Sequence, residues 1–112
     1  MEDRDITEFR RLTESEATDL VGKSILIGIT YVDPEGEELY RAQMHGVVAS
    51  ASTSNVEVML RGERHGQNFS LPPDPRFYSV AKPGEYRLRS TGEVINNPQV
   101  LCTAVLTQQR KN

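Results

Sequence analysis

The chain has 112 residues, a net charge of -3, 37% hydrophobic and 26% charged residues, and a single cysteine. That length suits one self-supporting domain and leaves no room for a second core. One cysteine excludes an intrachain disulfide, and no apolar run approaches the ~18 residues of a membrane-spanning helix.

The opening residues, "MEDRDITEFRR", are dense in charge where a secretory signal needs an apolar run, so a reducing, cytoplasmic setting is expected. Residues 1–12 read as a flexible acidic segment, and residues 13–112 as one small β domain. In "TESEATDLVGK" the Thr13 to Glu16 spacing matches a capping box, and Ala17, Leu20 and Val21 form a short apolar stripe. A helix over about 14–21 follows, with Gly22 suited to the left-handed position after its last turn.

From Ser24 the period changes to two. Ile25, Ile27, Ile29 and Tyr31 alternate with Leu26, Gly28, Thr30 and Val32, which marks a strand. The partly apolar second face calls for a cover, and the helix is the nearest candidate. "DPEG" is a turn, with Pro34 fixing φ and Gly36 supplying positive φ. A long strand from about Glu38 to Ser50 carries Gly46 inside it, where glycine usually marks a bulge or bend. "VEVML" and "QNFSL" are further strands, separated by the turn "RGERHG". Four of the six prolines fall in 72–84, which therefore reads as a loop with one tight helical turn. "EYRLRS", the turn "TGE" and "VI" form a hairpin with Arg87 and Arg89 on one face. The last strand, "QVLCTAVLT", is apolar on both faces, which implies burial on two sides or pairing with another chain, and so a possible homodimer through Val100–Leu106.

Five to seven short strands and one short helix predict a mainly β fold, a small, strongly bent antiparallel barrel of the SH3-like or Sm-like kind, creased at Gly46.

Little of the chemistry-bearing sequence points to catalysis. His45 and His65 lack partners at metal-ligand spacing, Cys102 is alone, and no nucleophile elbow or phosphate loop is present. "GKS" at Gly22–Ser24 leads into a strand and lacks the upstream glycine. No cofactor, metal or catalytic residue is assigned. Arg61, Arg64, Arg76, Lys82, Arg87 and Arg89, interleaved with Phe69, Phe77, Tyr78 and Tyr86, resemble a stacking platform for single-stranded nucleic acid. The net negative charge disfavours that reading.

Residues 1–57 hold 12 acidic and 5 basic side chains, and residues 58–112 hold 4 and 8. The acidic hairpin Asp33, Glu35, Glu37 and Glu38 and the basic pair Arg87 and Arg89 are the candidate partner-binding groups. Arg87 and Arg89 are expected partly exposed and near acidic groups of the first half. The segments "GITYVDPEG", "HGVV", "LPPDP" and "PGEYRLRSTGEV…NNP" resemble, in that order, a group of small bacterial β-rich proteins. The resemblance implies a bacterial origin and a compact β fold, and it brings no catalytic residue. The expectation is a non-catalytic protein–protein interaction module. An immunity-type inhibitor of a basic toxin is one alternative, and a small enzyme or a single-stranded nucleic-acid binder is another.

Overall fold

The computed structural model describes residues 10–109. Most of the expected flexible segment 1–12 lies outside them. Its described end is docked: Leu12 is buried, and its N–H donates to the Pro73 carbonyl at 2.8 Å.

Helix α1 (Glu14–Leu20) begins at a complete capping box. The Thr13 hydroxyl accepts from the Glu16 N–H at 3.1 Å, and the Glu16 carboxylate accepts from the Thr13 N–H at 2.9 Å. Strands follow in chain order: β1 (Ser24–Val32), β2 (Glu38–Ala51), β3 (Val56–Leu60), β4 (Asn68–Leu71), β5 (Tyr78–Val80), β6 (Glu85–Arg87), β7 (Val94–Asn96) and β8 (Val100–Thr107). Short 3-10 turns occupy Gly62–Arg64 and Pro75–Phe77.

The fold is mainly β, but the sheet is neither wholly antiparallel nor closed. Six strands run in the order β4-β3-β2-β1-β8-β5, and β6 and β7 form a separate two-stranded hairpin. β8 lies parallel to β1, with Ile27 opposite Cys102, while the other ladders of the sheet are antiparallel. β4 and β5 are the two edges. The segment joining them holds Pro72, Pro73 and Pro75, which have no N–H to give a ladder, so these edges cannot zip together through it. Other bonds bridge the gap. The Tyr78 hydroxyl donates to the Pro72 carbonyl at 2.7 Å, and Asp74, itself buried, accepts from the Arg76 N–H at 2.9 Å. The proline-rich stretch 72–84, expected as a loop, contains strand β5.

One continuous core fills the odd-numbered side of β1. Ile27 sits between Met44 and Cys102, and Ile29 between the small Ala42 and Ala104. Val48, Val56, Val58, Leu60 and Leu71 extend the same cluster, and Leu12, Ala17 and Leu20 join it. Helix α1 therefore packs on this face and not on the second face of β1. The turn of the β6–β7 hairpin reaches that second face instead, where the Arg89 N–H donates to Gln43, the partner of Gly28.

Gly46 is not a bulge; it stands where β2 passes from pairing with β1 to pairing with β3. It keeps register with both Ile25 and Leu60, and the irregularity in the β2–β3 ladder falls between Val48 and Ser50. The reason for glycine is close approach: a Cβ there would strike the Met59 carbonyl oxygen and lie 2.9 Å from the Leu60 Cα.

Cys102 is fully buried, and burial pushes its thiol up to about 12. The thiol is expected to resist a neutral-pH disulfide reagent in the folded protein and to react fully in urea. Rapid reaction in buffer would contradict its placement.

Candidate functional site

The acidic hairpin tip presents less charge than its sequence implies. Asp33 is 3% exposed and points inward. Its Oδ1 accepts from the N–H groups of Glu35 (3.0 Å) and Glu37 (2.8 Å), and the Asp33 carbonyl accepts from the Gly36 N–H. Asp33 is the organiser of the turn, as the local competition of Asp side chains for backbone donors allows. Glu35 and Glu37 are exposed. Glu38 is engaged by Arg41, whose Nε and Nη2 donate to it at 3.0 and 3.3 Å.

Arg87 and Arg89 do not both belong to β6. Arg87 ends β6, Leu88 is buried, and Arg89 already lies in the turn that leads to β7. Both arginines are exposed, and neither has an ion-pair partner among the described residues. Arg87 Nη1 donates to the Gly92 carbonyl at 3.3 Å, and the Arg89 N–H donates to Gln43 Oε1 at 2.6 Å. No ion pair joins the acidic tip to either arginine among the described residues, and the hydrogen bonds at the two arginines go to backbone and amide groups.

The hairpin carrying them is clasped to β2 by a junction the sequence does not announce. His45 Nε2 lies 3.4 Å from Glu93 Oε2, the Glu63 N–H donates to that same oxygen at 3.2 Å, and the Thr91 hydroxyl donates to Oε1 at 2.9 Å. Both side chains of the His45–Glu93 pair are largely covered. Gly62, at φ +70°, makes room: a Cβ there would run into Glu93 and come within 2.6 Å of His45 Nε2. With both carboxylate oxygens committed, Glu93 serves as a tie between β2, the Gly62–Arg64 turn and the hairpin tip.

These ties set the acid stability. Burial pushes the Glu93 carboxyl up, but the bonds from Thr91, His45 and the Glu63 N–H outweigh it and hold the group below its ordinary 4.5. The bond from Arg76 holds Asp74 below 3.8, and the bond from Arg10 brings Glu16 down to about 2. Groups with depressed folded values bind protons less readily than in the unfolded chain, so their stabilisation is present above the unfolded values and is lost on acidification. The melting temperature is expected to hold down to about pH 5 and fall progressively below it, with Glu93→Gln and Asp74→Asn each flattening that fall. A midpoint indifferent to pH between 5 and 3 would contradict these bonds.

Two further features face outward. The first is the free edge of β5. The Ala81 N–H donates to the Gln99 carbonyl at 3.1 Å, and Val80 pairs with Val100. Alternation along an antiparallel ladder then turns the N–H and C=O of Val80 away from β8, onto the open edge. Its side chain is 87% exposed. Beside it lies a groove of about 740 Å³ bordered by Leu20, Lys23, Tyr78, Val80, Pro83 and Val100. The second is a smaller cavity beneath Arg89.

Among the described residues no three of His, Cys, Asp and Glu gather as a metal site, and no helix is long and apolar enough to cross a membrane. Comparison with known proteins finds no matching family, no matching curated protein and no matching solved structure.

Proposed function

We propose that the protein is a non-catalytic interaction module that takes an extended segment of another protein along the open edge of β5. The observation that carries this reading is Val80: its backbone donor and acceptor face outward and its side chain is almost wholly exposed. Proteins usually protect such an edge with a charge, a proline or a covering loop, and here Lys82 and Pro83 stand beyond Val80 and leave its own donor and acceptor unblocked. Adding a strand supplies main-chain hydrogen bonds, while neighbouring pockets read alternate side chains. The groove offers that second component, with an apolar border at Leu20, Tyr78 and Val100. Lys23 on the border and the exposed Lys82 favour a segment with apolar residues at alternate positions and a carboxylate beside them.

Selection of random peptides on the immobilised protein tests this. Recovered peptides are expected to alternate apolar residues and to lose at least about tenfold in affinity against Val80→Pro. That variant deletes one outward N–H and is tolerated at an edge, so its melting temperature should stay close to the parent's. Peptides that bind the variant equally well, or a selection that enriches none, would overturn the reading.

A further inference from the structure

The opposite side of the sheet from the core carries a cavity of about 520 Å³ bordered by two arginines, independent of the β5 edge. Its floor is set by register. Gly28 stands opposite Gln43 on β2 and Thr103 on β8, and Thr30 stands opposite Arg41, so all five belong to the second face of the sheet. Arg89 and Ser90 close it from the hairpin turn above. Arg89 is held there twice over, by its own N–H on Gln43 and by the Glu93 junction four residues on. The floor is open: a Cβ at Gly28 would meet nothing within 4 Å.

We propose that this cavity binds the phosphate group of a small phosphate monoester. Two arginines from different elements border it, Arg41 from β2 and Arg89 from the turn, and the hydroxyl-bearing residues Thr30, Ser90 and Thr103 share the same lining. A tetrahedral dianion uses donors arriving from several directions, whereas a planar carboxylate is satisfied by one guanidinium fork. The cavity volume lies in the range that holds a small ligand. Arg89 has no ion pair among the described residues to give up, but Arg41 is already forked onto Glu38. Glu38 is thus a built-in competitor for the anion.

The test is a titration of the whole protein with ribose 5-phosphate, followed through its amide resonances, with ribose and acetate as parallel arms. Saturable shifts are expected at Gly28, Thr30, Arg89, Ser90 and Thr103, reversed by inorganic phosphate, weakened by salt and absent with ribose. Arg89→Gln is expected to weaken binding at least tenfold, and Glu38→Gln to tighten it about threefold by releasing Arg41. Gly28→Val fills the floor at a strand position that favours branched side chains, so it should abolish binding without lowering the melting temperature. Shifts that stay linear to about 20 mM would overturn the proposal. So would shifts that persist in both Arg89→Gln and Gly28→Val, or acetate binding as tightly as the phosphate ester.

Discussion

Gly46→Val is expected to lower stability by at least about 3 kcal/mol, moving the urea midpoint down by roughly 2 M. The colliding atoms are the Met59 carbonyl oxygen and the Leu60 Cα, which are backbone and cannot rotate aside. β2 is paired on both edges at this residue, with Ile25 on one side and Leu60 on the other, so relief requires spreading one of two ladders. A domain of this kind has only about 5–15 kcal/mol in total, so one such substitution removes a large share of it. Gly46→Ala should act in the same direction with a smaller loss. An unchanged midpoint for the valine variant would mean that β2 and β3 do not approach as closely as described.

Ile27→Ala is expected to cost about 2–5 kcal/mol, a fall in melting temperature of roughly 10–20 °C. Ile27 is 1% exposed at the middle of β1, flanked by Met44 and Cys102, and strands on both sides keep the backbone from collapsing into the vacated space. The size of the loss distinguishes a central strand from an edge, where the site can relax. Val105→Ala is the internal comparison: Val105 is 58% exposed on β8, and its truncation should change stability by no more than about 0.5 kcal/mol. Equal losses at the two positions would contradict the assignment of the core to the odd-numbered face of β1.

Local chemistry was the legible part of this fold. The Thr13–Glu16 spacing, the alternation of Ile25, Ile27 and Ile29, and the Gly36 turn each depend on neighbours within a few residues, and each is found where the pattern puts it. Long-range pairing was not legible. Nothing within "QVLCTAVLT" tells that it runs parallel to β1, because its two-sided apolarity is equally suited to any interior position. The proline count correctly denied an interior strand to 72–77, yet it hid Tyr78–Val80, which is too short to show a period.

The same limits governed the surface. Gly46 shows that a glycine inside a strand has more than one cause, since a bend and a close contact leave the same mark in a sequence. β6 ends at Arg87, so Arg89 falls in the turn and not in the strand, and the adjacent "STG" was the available signal. In the sequence Asp33 reads as surface charge because its position beside Pro34 resembles any solvated turn, whereas its oxygen is consumed by backbone donors. His45 and Glu93 lie 48 residues apart and carry no local signature that joins them.

The reading of this protein as a receiver of an added strand rests on the outward-facing backbone of Val80, and native-state amide hydrogen exchange addresses that group directly. The Val80 amide is expected to exchange within about tenfold of an unstructured peptide, while the Ala81 amide, bonded to Gln99, exchanges slower by orders of magnitude. Val80 protected as strongly as Ala81 would mean that the edge of β5 is already occupied within the folded chain, and the account would fail at its foundation.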